Sequence, residues 1–211
     1  MIQSTSTTQT EIPIPRRGSL RALWVSMRPY QWTKNFFVLA PLLFGQKLGD
    51  AVAVGFALLA FLVFCLIASA LYIINDLADA EADRVHPEKR FRPIASGELT
   101  VALAVAAATG LLVLAFGLAV VIGWQFLALA ICYGMLTFGY SFAVKHLVIL
   151  DCMTIATGFV LRVVGGAVAI NVMPTHWLIV CAFLLALYLA FAKRRHELLL
   201  LSDSAHTHRQ V

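Results

Sequence analysis

Long apolar runs separated by short polar joints make up most of this chain. The runs cover approximately residues 24–45, 52–75, 101–122, 124–144, 148–170 and 177–192. Each reaches or nears the roughly 20 residues a helix needs to cross a bilayer core, the last being the shortest. None alternates apolar and polar residues with the period of two that a half-buried strand shows. The pattern therefore predicts an all-α integral membrane protein, a bundle of six transmembrane helices. Residues 1–20 begin with a Ser/Thr-rich stretch that has no apolar core, which predicts a disordered tail and no secretory signal. Residues 21–200 form the membrane domain, and residues 201–211 a polar C-terminal tail.

Composition agrees with the pattern. Hydrophobic residues make up 61% of the 211 and charged residues only 13%. Soluble domains run near half apolar and about a quarter charged. The net charge of +5 is unevenly placed. Arg16, Arg17, Arg21 and Arg28 lie before or at the start of the first run. Arg84, Lys89, Arg90 and Arg92 lie between the second and third, Lys145 between the fourth and fifth, and Lys193, Arg194 and Arg195 after the sixth. The joints on the other side hold only Lys47. The positive-inside rule then puts both termini and the basic joints in the cytoplasm. The expectation is a multi-pass protein of the inner (cytoplasmic) membrane, with its polar face toward the cytoplasm. The positive charge sets topology, so no nucleic-acid partner is implied. Cys65, Cys132, Cys152 and Cys181 show no C-x-x-C spacing and read as packing residues.

One polar joint carries more than topology requires. The stretch "NDLADAEADRVHPEKRFRP", Asn75 to Pro93, sets Asp76, Asp79 and Asp83 three and four residues apart at the end of the second run. On a helix that spacing stacks them on one face. Three neighbouring carboxylates repel one another unless something positive binds them. With the Asn75 amide they suit Mg²⁺, a hard ion that takes oxygen ligands and completes its shell with water and substrate phosphates. Lys89, Arg90 and Arg92 follow directly and are placed to neutralise such phosphates. The plainer alternative is a solvated joint whose cations only orient the chain.

Other clusters surround the same face. In "YSFAVKHLVILDCMTIATGFVLRVVGG", which starts at Tyr140, Lys145 and Asp151 flank the start of the fifth run, and Arg162 lies about three turns deeper on the face of Asp151. A cation that deep usually faces a polar cavity, although an ion pair with a neighbouring helix would also explain it. Gly158, Gly165 and Gly166 permit close helix packing or leave room for a chain-like substrate. "KRRHEL", from Lys193, serves equally as a membrane anchor or as a phosphate site. "RPYQWTKN", Arg28 to Asn35, sets Gln31, Lys34 and Asn35 into the start of the first run. Lys34 either snorkels to the interface or reaches the same cavity.

Taken together, these motifs resemble a known family. "NDLADAEAD" resembles the N-D-x-x-D-x-x-x-D signature of the UbiA-type intramembrane prenyltransferase superfamily, and "RPIASG", Arg92 to Gly97, resembles the segment that follows it there. "RPYQWTKN", "HPEKRFRPIASG", "YSFAVKHLVILD", "GFVLRVVGGA" and "KRRHEL" resemble the decaprenyl-phosphate phosphoribosyltransferase branch. The resemblance runs from about Ser26 to the C-terminus and implies a UbiA-like helical bundle. It also implies Mg²⁺-dependent transfer of a 5-phosphoribosyl group from phosphoribosyl diphosphate to a polyprenyl phosphate. On that basis Asn75, Asp76, Asp79 and Asp83 are expected to hold the metal, with Lys145 and Asp151 joining the acids in the catalytic set. Gln31, Lys34, Lys89, Arg90, Arg92, Tyr140, Arg162, Lys193 and Arg194 are expected to bind substrate phosphates.

Two departures stand out. The aromatic prenyltransferases of the superfamily carry a second acidic repeat, and here Asp151 is followed four residues on by Ile155. Members of the family have about nine spans against the six expected here, and His208–Arg209 resembles a joint that leads into a seventh. The alternatives are a prenyl-diphosphate-dependent enzyme of the superfamily, a transporter, and a chain with no activity of its own.

Overall fold

The structure, a computed structural model, describes residues 19–140 and 148–207. Helix α1 is Ser19–Met27, and a 3₁₀ segment, Pro29–Leu39, leads into the short α2, Ala40–Phe44. Helix α3 is Ala51–Ala78 and α4 is Ala80–Val85. They are followed by α5 (Val101–Ile122), α6 (Trp124–Gly139), α7 (Val148–Ala169) and α8 (His176–Thr207). All the described regular structure is helical.

Local chemistry explains where the helices start and turn. Asp50 caps α3 by accepting from Val52 N at 3.0 Å and Ala53 N at 3.2 Å. Thr100 does the same for α5 through Leu103 N. Gly123 joins α5 to α6 in one residue at φ 144°, a conformation open to glycine.

Helix α3 is the centre of the bundle and packs against α1, the 3₁₀ segment, α2, α5, α6 and α7. Alanines make this possible. Ala53, Ala57 and Ala60 of α3 are buried, as are Ala104, Ala108, Ala115 and Ala119 of α5, so two backbones approach closely. Phe64, Phe126 and Tyr133 fill the space between α3 and α6 with edge-on ring contacts. The outer faces stay apolar, as Val113, Leu114, Val120 and Val121 on α5 and Leu184, Leu185 and Leu189 on α8 show. Extended apolar surface of this kind suits a lipid surround.

The described residues do not reproduce the expected count of six spans. Among the described residues four helices are long and apolar enough to cross a membrane: Ala51–Ala78, Val101–Ile122, Ile149–Ala169 and His176–His196. Trp124–Gly139 is a shorter apolar helix. The remainder expected for the fourth span, 141–144, lies outside the described residues. The chain is a multi-pass helical membrane protein. The first expected span, 24–45, is not one helix. It breaks at Arg28, whose backbone is left-handed (φ 51°, ψ 59°), and continues as the 3₁₀ segment. Pro29 and Pro41 remove amide donors from that stretch. Its polar side chains, moreover, bond to neighbouring helices and hold the backbone open. In the other direction, α8 runs on through the "KRRHEL" stretch to Thr207, beyond the expected 177–192 and into the stretch expected as a tail.

The 3₁₀ segment is wedged between α3 and α7. Trp32 Nε1 donates to Ser69 Oγ at 3.0 Å, and Asn35 Nδ2 donates to Cys65 Sγ at 3.2 Å, both on α3. On the other side Gly166 of α7 lies so close that a Cβ there would meet Val38 O at 1.8 Å. Gly165 faces the Phe64 ring in the same way. These two glycines serve helix packing, while Gly158 lines a cavity beside Arg162.

Candidate functional site

The acidic end of α3 does not stand free. Asp79 joins α3 to α4, and the turn continues through Asp79 N to Asn75 O at 3.0 Å and Asp83 N to Asp79 O at 2.8 Å. Asp76 and Asp83 thus stay on one face, and both are buried. Arg28 Nη2 donates to Asp76 Oδ1 at 2.5 Å. Arg92 Nη1 donates to the same oxygen at 3.2 Å and to Asp83 Oδ2 at 2.6 Å. Asp79 turns instead to Asn75, whose Nδ2 donates to Asp79 Oδ2 at 3.2 Å. The positive partner that the acidic face requires is therefore a pair of arginines. Arg92 is held by the turn after it, where Leu99 N donates to Pro93 O at 2.8 Å and Ile94 and Leu99 are buried with Ala22 and Ile73. Lys89 and Arg90 are exposed, and Arg90 lies over the Phe91 ring.

A cavity of about 610 Å³ opens beside this end of α3. Arg28, Lys34, Arg162 and Lys193 line it, and among the described residues no acidic side chain does. Asn75, Tyr72, Thr137 and Tyr140 add polar groups, while Phe37, Leu71, Leu136, Ile155, Phe159 and Leu189 make apolar walls. Arg28 and Asn75 belong both to the acid cluster and to the cavity lining, so the two are continuous. A second cavity, of about 380 Å³, lies at the other end of α3 near Asp50 and Asn171, with no Lys or Arg among the described residues of its lining.

Arg162 is the buried cation of the cavity, at 8% exposure. Its Nε donates to Asn35 Oδ1 at 2.7 Å, Nη1 to Gly158 O at 2.9 Å and Nη2 to Tyr133 Oη at 2.6 Å. The guanidinium also lies over the Tyr133 and Phe159 rings. All of these partners are neutral. The ion pair that would have made Arg162 structural is absent among the described residues. Neutral groups orient the guanidinium and leave its charge to the cavity, where the low dielectric strengthens its pull on an anion.

Asp151, one turn into α7, pairs with Arg194 of α8. Arg194 Nε donates to Asp151 Oδ2 at 2.7 Å, and Nη2 contacts the same oxygen. The Tyr140 hydroxyl faces this carboxylate from the end of α6. Arg194 thus pairs with Asp151, and its neighbour Lys193 lines the cavity.

The structure brings Lys34, Asn75, Tyr140, Arg162 and Lys193 together around one cavity, with Asp76, Asp83 and Arg92 adjoining it through Arg28. Gln31, Lys89 and Arg90 do not line the cavity, and Lys145 lies outside the described residues. Sequence reasoning missed Arg28 as a site residue, together with Asn35 and Tyr133, which hold Arg162. Arg28 immediately precedes a proline within "RPYQWTKN", a sign of a break in the helix that the apolar count passed over.

The donor set can be tested for a metal. Among the described residues no three His, Cys, Asp or Glu side chains gather as a ready metal cage. The chemistry still fits Mg²⁺, which asks a protein for one or two carboxylates and takes water and phosphate oxygens for the rest. Asp76 and Asp83 are two such carboxylates, close enough together to share the Arg92 guanidinium.

Comparison with known proteins identifies the family and the fold. The model of the UbiA prenyltransferase family matches residues 36–197. The decaprenyl-phosphate phosphoribosyltransferase of Corynebacterium glutamicum is 41% identical over 193 residues, which cover 87% of this chain and 55% of that protein. The enzyme of the same name from Mycolicibacterium smegmatis is 38% identical over 194 residues, 87% of this chain and 59% of that one. The chain therefore spans a little over half the length of these relatives. In fold it is similar to a UbiA homologue from Archaeoglobus fulgidus solved bound to GPP and Mg²⁺, with a TM-score of 0.66 at 22% identity over 79% of this chain and 60% of that one. With most of its length matched by the family model and a fold to agree, the chain belongs to the UbiA prenyltransferase family.

Proposed function

We propose that this chain carries the site of a phosphoribosyl transferase at the cytoplasmic face of the inner membrane. The site moves a 5-phosphoribosyl group from phosphoribosyl diphosphate to a polyprenyl phosphate. One observation carries the reading: a cavity whose described lining has four cations and no acidic side chain adjoins a buried acid cluster and has apolar walls. That combination suits two phosphate-bearing substrates, one of which has a lipid tail. The names of the relatives point the same way.

In this reading Asp76 and Asp83, with Asp79 and Asn75 beside them, would hold Mg²⁺, and the bound metal would supply positive charge for a departing diphosphate. Arg28 and Arg92 hold the diphosphate oxygens. Lys34, Arg162 and Lys193 receive the donor 5-phosphate and the acceptor phosphate, and Tyr140 supplies a hydroxyl at the same wall. Asp151 and Arg194 brace α7 against α8 beneath Lys193. The bond from C1 of the ribosyl ring to diphosphate breaks as a phosphate oxygen of the lipid bonds to C1. The acceptor oxygen is already anionic, so no strong general base is needed, and positioning and fixed charge carry the step.

Donor choice tests this proposal. Membranes holding the chain, with polyprenyl phosphate and Mg²⁺, should release inorganic diphosphate from phosphoribosyl diphosphate and not from a prenyl diphosphate. Release from the prenyl diphosphate alone would transfer the site to prenylation chemistry.

A further inference from the structure

Two guanidiniums meet one carboxylate oxygen of Asp76. Arg28 and Arg92 share Asp76 Oδ1 at 2.5 and 3.2 Å, and Arg92 also holds Asp83 Oδ2 at 2.6 Å. Two buried carboxylates thus face two arginines, and the charges of these four groups balance. The backbone of Arg28 is left-handed (φ 51°, ψ 59°) directly before Pro29, a costly conformation for a side-chain-bearing residue. That turn aims the guanidinium at Asp76, over the Tyr72 ring and along the cavity wall.

A divalent cation arriving alone meets a balanced cluster with two fixed positive groups beside it. Arriving with a diphosphate, it brings net negative charge. The carboxylates can then take the metal while the guanidiniums take the phosphate oxygens, a planar fork for which arginine is suited. Resting on the reading that a metal diphosphate binds beside Asp76, we infer that Arg28, together with Arg92, is a resident counter-cation that makes metal binding conditional on diphosphate. Arg28 exchanges Asp76 for the diphosphate, so metal and diphosphate promote each other's binding. By linkage the coupling is reciprocal, and the effect of each on the other's affinity is equal.

The test measures Mn²⁺ bound to the purified chain in detergent by electron paramagnetic resonance, at fixed free Mn²⁺, with and without inorganic diphosphate. The wild type should bind Mn²⁺ weakly alone and about 10-fold or more tighter with diphosphate. Arg28→Gln should tighten binding of Mn²⁺ alone by about 10-fold and shrink the diphosphate effect toward none. Arg28→Gly removes the guanidinium while favouring the left-handed backbone, so it reads the same effect in a chain whose turn is preserved. If Mn²⁺ alone binds no tighter to either variant, while Asp76→Asn abolishes binding with diphosphate, the counter-cation role is wrong and the metal site stands. If binding with diphosphate is absent from the wild type or survives Asp76→Asn, the metal site itself is misplaced, and the inference falls with it.

Discussion

Arg162 and Tyr133, on different helices, meet through a 2.6 Å hydrogen bond from Nη2 to the tyrosine hydroxyl, and the guanidinium lies 4.6 Å from the centre of the same ring. With Asn35 and the Gly158 carbonyl completing the set, a buried cation is fixed in direction without being neutralised. Arg162→Gln should therefore remove phosphate affinity more than it removes stability. Hydrogen bonds to a charged group are worth about 1.5–3 kcal/mol each, so a fall in transfer of about 100-fold is expected. Arg162→Lys keeps the charge but not the three-point fork and should fall between. Transfer rates read beside thermal unfolding in detergent check this. A fully active Arg162→Gln enzyme would make the residue structural.

Asp83 shares Arg92 with Asp76, so the two acids should not be interchangeable with Asp79, which bonds Asn75 instead. Asp76→Asn and Asp83→Asn should each lower transfer by about 100-fold or more at saturating Mg²⁺, the scale of a lost pre-arranged electrostatic contact. Asp79→Asn should cost less. Rates for the three variants across a Mg²⁺ titration would expose equal losses, which would contradict the division.

Close packing at Gly166 makes a stability prediction. A methyl group there would enter the Val38 carbonyl, so Gly166→Ala should destabilise the protein by about 1–3 kcal/mol and displace the segment that carries Lys34 and Asn35. Gly110, in the middle of α5, has nothing within 4 Å of its would-be Cβ. Gly110→Ala should instead gain up to about 1 kcal/mol from helix propensity. Melting temperatures of the pair, compared in one detergent, should move in opposite directions.

The Asp151–Arg194 pair joins two helices across 43 positions of sequence. Asp151→Asn and Arg194→Gln should each destabilise the packing of α7 on α8. The double variant should cost less than the sum, by about 1 kcal/mol or more for residues in direct contact. An additive double-mutant cycle would refute the pairing.

The acid cluster was legible in the sequence because helical periodicity is local. A spacing of seven places Asp76 and Asp83 on one face, and that is where Arg92 bridges them. Arg162 was legible for a similar reason, being a cation deep in an apolar run. Its partners were not. Asn35 is 127 positions away, and nothing in the chain's periodicity links them. The first span was misread because an apolar count is blind to tertiary bonds. Asn35 to Cys65, Trp32 to Ser69 and Arg162 to Asn35 hold residues 29–39 off the α-helical path. Arg28 was read as a topological charge because its left-handed turn, which aims it at Asp76, appears only in three dimensions.

The central claim is transfer of the phosphoribosyl group to a lipid phosphate, and label transfer measures it directly. Membranes containing this chain would receive phosphoribosyl diphosphate labelled in the ribose, a polyprenyl phosphate and Mg²⁺. The account predicts a labelled lipid that disappears with EDTA and with Asp76→Asn. Label that stays in the aqueous phase under all conditions, or labelled lipid that persists in both controls, would contradict it.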